Sequence, residues 1–83
     1  MPLFMDVHEN LPDATAADVA AAHAADVATQ EKYGVNYRSY WVDEVNGKVF
    51  CLVDAPDAAA AERVHKEAHG LLADHIYPVV EGH

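Results

Sequence analysis

The sequence predicts an α+β sandwich with elements in the order β-α-β-β-α-β. Two alanine-rich stretches with helical periodicity each stand between strand-like runs, and Asn46-Gly47 joins the two middle strands as a hairpin. At 83 residues the chain makes one domain, residues 1–83, whose core is small.

Residues 2–9 alternate, with Leu3, Met5 and Val7 on one face and Phe4, Asp6 and His8 on the other, which is a strand of ordinary length. Asn10-Leu11-Pro12-Asp13 is turn chemistry, and Thr15 with Asp18 three residues on forms a capping box. The helix this starts runs to about residue 33, where Gly34 stops it. Val19, His23 and Val27 line its expected inner ridge, flanked by Ala16, Ala20 and Ala24. Residues 36–45 are rich in aromatic and β-branched types and suit a strand, and Asn46-Gly47 predicts a two-residue type I′ turn. Residues 48–55 pair with them, and the apolar run Val49-Phe50-Cys51-Leu52-Val53 reads as a central strand covered on both faces. Asp57 caps a second helix with Ala60, Ala61, Val64, Ala68 and Leu71 inward, and Gly70 ends it. Residues 74–81 form the last strand, with Pro78 pointing to an edge or irregular position.

This order is the split βαβ unit of a ferredoxin-like sandwich, a four-stranded antiparallel sheet with two helices on one face. Whichever way the strands alternate, apolar side chains remain on the open face. A patch of that kind predicts a homodimer through the open sheet face.

Composition narrows the function. A net charge of −9 argues against nucleic acid and suits cations. No apolar run approaches the roughly 20 residues of a membrane span. The lone Cys51 excludes an internal disulfide and, with no basic leader at the start, points to the cytoplasm. There is no glycine-rich phosphate loop, no CxxC and no arguable Ser-His-Asp order, and no catalytic activity is expected. The ending Glu81-Gly82-His83 is given no ligand role.

Six histidines are an excess for this length. His65 and His69 stand four apart on the second helix, within roughly 40° of one another and one turn apart, so both rings can reach one ion. Against this, two solvated imidazoles at a helix C-terminus need no metal, because the dipole favours them protonated. Glu67 points away, so this is not the His-Glu-x-x-His of a zinc protease. His23 and Asp26 are spaced for the carboxylate to hold one ring nitrogen and free the other. Cys51 is either a small buried hydrophobe or a thiolate ligand, and its alternation does not decide which face it takes. Asp6 and His8 share one face of the first strand, and His75 and Tyr77 one face of the last. If Leu3, Met5 and Val7 face the helices, these four form a second polar cluster on the open face, the basis of an alternative reading as a small-molecule enzyme or ligand-binding protein of the dimeric ferredoxin-like type.

The motifs Ala22-His23-Ala24-Ala25-Asp26, Gln30-Glu31-Lys32-Tyr33-Gly34-Val35, Tyr40-Trp41-Val42-Asp43-Glu44, Val49-Phe50-Cys51-Leu52-Val53-Asp54-Ala55-Pro56 and the stretch 64–74 carry a resemblance. They resemble a small bacterial family once known only as a domain of unknown function, some of whose members are described as nickel-binding or nickel-responsive. The resemblance covers almost the whole chain. It implies a ferredoxin-like dimer with nickel sites at the surface or interface, and no established enzymatic activity. On it, the family's histidines fall on His23, His65 and His69, its acid on Asp26 and its thiol on Cys51, while His75 stands where relatives are expected to have an acid. The expectation is thus a divalent-metal protein, for nickel before zinc or copper, acting in sequestration or sensing, with His65 and His69 chelating and His23, Asp26 or Cys51 completing the site.

Overall fold

A computed structural model describes residues 2–82; His83 lies outside them. The elements are β1 (Leu3–His8), α1 (Ala16–Thr29), a 3-10 turn (Gln30–Tyr33), β2 (Asn36–Asp43), β3 (Lys48–Asp54), α2 (Ala58–Ala68) and β4 (His75–Val79). The strands lie in the order β2-β3-β1-β4 with every neighbour antiparallel, and the helices cover one face, giving the ferredoxin-like sandwich. Among the described residues no helix is long and apolar enough to cross a membrane.

Register decides the faces. Phe4, Asp6 and His8 stand opposite Val53, Cys51 and Val49, so all six point the same way. Val49, Cys51 and Val53 are buried while Phe50 and Leu52 between them are only partly covered, so this is the face beneath the helices. Leu3, Met5, Val7, Phe50 and Leu52 take the open face, and β3 is fully covered on one side only. On β2 a bulge between Tyr37 and Ser39 shifts the alternation by one residue. Because of that shift Tyr37 and Tyr40, three apart, both face the helices.

The local signals form as their chemistry dictates. The Thr15 hydroxyl accepts from the Asp18 N–H at 3.1 Å and the Asp18 carboxylate from the Thr15 N–H at 3.4 Å, closing the capping box. Asp57 accepts from the Ala60 N–H at 2.8 Å, and Gly70 follows α2 with φ 77°. Pro78 lies on β4, an edge strand.

Three expectations need correction. Asn46-Gly47 is not a two-residue type I′ turn: Asp43 pairs with Lys48, leaving a four-residue loop, and among the described residues only glycines have positive φ. The Asp43 carboxylate accepts from the Asn46 N–H at 3.0 Å and its side-chain amide at 2.8 Å, which holds Asn46 out of the left-handed region. Gly47 is needed there twice over, for φ 68° and because a Cβ would come within 2.9 Å of the Pro12 Cα. In α1 the buried stripe is turned: Val27 is 46% exposed, while Asp26 is buried because its carboxylate has partners between the helices. In α2 Ala60, Ala61 and Val64 are inward as expected, but Leu71 is exposed and His65 is buried alongside them.

Candidate metal centre

His65 is the hub. Its Nδ1 lies 2.9 Å from Asp26 Oδ1 on α1 and its Nε2 lies 2.9 Å from Asp6 Oδ2 on β1. A carboxylate only accepts, so both ring nitrogens donate and the ring is an imidazolium. Burial works against that charge, but the hydrogen bonds to Asp26 and Asp6 and their charges outweigh it and raise the His65 pKa to about 9. For Asp6 burial again opposes ionisation, and the neighbouring imidazoles, His65 first, hold its carboxyl well below the usual range. The Tyr37 ring stacks on His65 at 4.6 Å, and its hydroxyl lies 3.0 Å from Asp6 Oδ2 and 3.1 Å from the Ala61 carbonyl, either of which can accept its proton. Burial first, then the Asp6 charge, pushes that phenol far above its ordinary range. The small side chains of Ala60 and Ala61 let α2 come this close to the sheet.

Two groups of donors meet at His65. On the Nε2 side are Asp6, His8 and Cys51, whose ligating atoms with that of His65 all lie within 4.8 Å of one another; on the Nδ1 side Asp26 and His69 form a comparable group with the same ring. A neutral imidazole has one lone pair, so His65 can serve as ligand to one group only, its other nitrogen keeping a proton for the opposite carboxylate. Asp6 Oδ1 is buried with no hydrogen-bond partner among the described residues: His8 Nε2 at 3.4 Å is close enough to feel the charge but not aligned to donate. An orphaned carboxylate oxygen between an imidazole and a thiol is what a cation satisfies, and this O, N, N, S set suits nickel, copper or zinc. Burial and the Asp6 charge push the Cys51 thiol up, so without an ion it is neutral; a bound divalent cation inverts that preference.

The second group is less ready. The Leu71 N–H donates to His69 Nδ1 at 3.1 Å, so the neutral ring carries its proton on Nε2. That nitrogen is 3.0 Å from Asp26 Oδ1, yet misaligned and without a hydrogen bond.

Of the residues singled out in the sequence, His65, His69 and Asp26 come together, Cys51 lies on the other side of His65, and His23 stands apart. Its ring packs on Tyr40 at 4.8 Å, and Asp26 turns to His65 and His69 instead. Glu67 faces away, accepting from the Tyr33 hydroxyl at 2.9 Å and pairing with Lys32. The alternative open-face cluster does not form. Asp6 and His8 point beneath the helices, whereas His75 and Tyr77 stand opposite Val7 and Met5 on the open face. Asp6 and His8 thus enter the site, which was not expected of them. Their i, i+2 spacing was visible, but the register that sets them beside Cys51 was not.

A family model described as "Nickel responsive protein SCO4226-like" matches residues 4–79. Among solved structures, SCO4226 from Streptomyces coelicolor A3(2) is 36% identical with a TM-score of 0.90, over 98% of this chain and 99% of that one. No curated protein sequence matches.

Proposed function

The chain belongs to the SCO4226-like family, and from that premise and the cluster around His65 we propose that it is a non-catalytic divalent transition-metal-binding protein, nickel being its favoured ion. Sequestration or sensing is the role this reading gives it, in the bacterial cytoplasm, where an unpaired thiol such as Cys51 stays reduced. The orphaned Asp6 Oδ1 beside His8, Cys51 and His65 carries the reading. Asp6, His8, Cys51 and His65 Nε2 would hold the ion, and Asp26 would keep the proton on His65 Nδ1 and so fix the ring. The ion would supply a fixed positive charge where the His65 proton now sits. Binding therefore releases protons, from His65 and from the Cys51 thiol. In this reading the ion sits on the Asp6 side of His65, so His69, which with Asp26 and His65 forms the other possible group, would not share it, and His23, whose ring packs on Tyr40, would not be a ligand.

The open sheet face supports a homodimer. Trp41 and Tyr77 are 51% and 49% exposed there, with Met5, Phe50 and Leu52 between them on the inner strands. With a net charge of −9, nucleic acid is not a partner in this reading.

The test is a calorimetric titration of chelator-stripped protein with nickel, zinc and copper at neutral pH, with absorption spectra. We expect saturable nickel binding, micromolar or tighter, and a near-ultraviolet thiolate-to-metal band that Cys51→Ser removes while His69→Ala keeps it. No saturable binding of any of the three ions sinks the reading. Loss of binding in His69→Ala with Cys51→Ser unaffected would instead move the ion to the Asp26 side.

A further inference from the structure

A cavity of about 370 Å³ opens between α1, the sheet and the loop joining β1 to α1. Leu11, Val19, Ala22, Val49 and Leu71 make its walls apolar; the buried His65 and Asp26 are at its floor, and the exposed Asp13 and Asp18 are at its rim. The loop wall is held in place, since the Leu11 N–H donates to the Gly47 carbonyl at 2.8 Å and the Ala14 N–H to the Leu11 carbonyl at 3.0 Å. A preformed, mainly apolar recess with a few polar groups at its base is how small-molecule sites are built.

The base selects the ligand. His69 presents a buried Nε2–H with no aligned acceptor, because its Nδ1 is taken by the Leu71 N–H. An oxygen on the ligand satisfies it; an ammonium or guanidinium group, which only donates, cannot. A carboxylate would meet Asp13, Asp18 and Asp26 around the same cavity. For size, an apolar cavity of about 150 Å³ takes up benzene. We propose that this cavity binds a compact, uncharged organic molecule of one or two rings whose hydroxyl or carbonyl oxygen accepts from His69. His8 and Cys51 also line the cavity, so it opens onto the proposed metal site, but the inference rests on the recess and His69 and does not require an ion there; the cavity lies on the opposite side of the sheet from the apolar open face.

The probe is 2-naphthol, titrated into the intact chain while its fluorescence and the backbone amide resonances are followed. Saturable binding is expected, with shifts centred on Val19, Ala22 and Leu71. Filling the recess with Ala22→Phe should weaken binding by about tenfold or more, while Trp41→Ala on the open face leaves it unchanged. Naphthalene, lacking the oxygen, and 2-naphthoate, carrying a charge, should both bind less tightly. The proposal is overturned by the absence of saturable binding, by shifts centred on Trp41 and Tyr77, or by naphthalene binding as well as 2-naphthol. The wild-type resonance map decides the location even if Ala22→Phe does not fold, and nickel titrated in parallel keeps a failed pocket distinct from a failed metal site.

Discussion

The two faces of the sheet are inverted relative to each other. Beneath the helices, where hydrocarbon is expected, lie Asp6, His8, Asp26 and His65, all at 4% exposure or less; on the open face Trp41 and Tyr77 remain about half exposed. Burying charge is costly unless every charge is paired, and exposing aromatic surface is unfavourable unless something covers it. The covered face meets its condition internally only in part: one imidazolium stands between two carboxylates, and Asp6 Oδ1 is left without a hydrogen bond. The open face has no such internal answer, and in the proposed dimer the same face of a second copy would cover it.

The largest effect should come from breaking the internal pairing. Asp6→Ala leaves His65 with one carboxylate and removes an acceptor of the Tyr37 hydroxyl, and should cost about 3–5 kcal/mol in urea unfolding of the metal-free protein. Replacing Asp6, Asp26 and His65 together by apolar residues should cost less than Asp6→Ala alone, because no charge is then left stranded. If the triple variant is the less stable of the two, the cluster is acting through packing and not through pairing.

The same pairing sets a pH dependence. The folded His65 pKa is raised from 6.5 to about 9, so its contribution is complete below 6.5 and is lost as pH rises through about 9. Asp6 is depressed below 3.8, so its contribution is present above 3.8 and is lost at lower pH. Metal-free protein should therefore be most stable between 3.8 and 6.5, losing about 3 kcal/mol on the alkaline side, as thermal melts in chelator would report. Nickel reverses the slope in this reading, its stabilisation growing with pH as protons cease to compete. A nickel effect independent of pH between 6 and 8 would place the ion away from His65.

The proposed dimer is tested by Trp41→Glu, which puts a charge on the apolar open face at its β2 edge. An aromatic anchor carries about 2 kcal/mol or more of binding, so the dimer constant should weaken by about 30-fold or more while far-UV circular dichroism stays unchanged. Light scattering across a dilution series reads the mass directly. A monomer in the unmodified chain at every concentration would leave the open face without its partner.

Signals that act within a turn or cap were legible in the sequence: Thr15 with Asp18, Asp57, Gly34, Gly70 and Pro78 each fix a local geometry that does not depend on what packs against it. The site was legible only in part, because it is made by register. On β1 hydrophobicity favours placing Leu3, Met5 and Val7 inward, and the fold does the opposite, since Asp6 and His8 find partners on α2 and β3. The type of the hairpin turn was missed for a related reason: the Asp43 side chain overrode the preference of the Asn46-Gly47 pair. Rules that sort residues by polarity fail where polar groups are assembled with one another, and such assemblies tend to be functional.

Helix α1 shows that failure at its smallest scale, between two adjacent residues. Hydrophobic periodicity set Val27 on the inner ridge, yet rotation by one position exposes it and buries Asp26. Val27→Gln removes a β-branched apolar side chain from a surface that is 46% exposed, and should change stability by no more than about 0.5 kcal/mol. Asp26→Leu, which periodicity alone would score as an improvement, leaves the His65 imidazolium with Asp6 only and should be far more destabilising in the same urea titration. Equal effects at the two positions would mean that α1 sits in solution as its hydrophobic pattern suggests, with the carboxylate facing water and the ring of His65 held from one side.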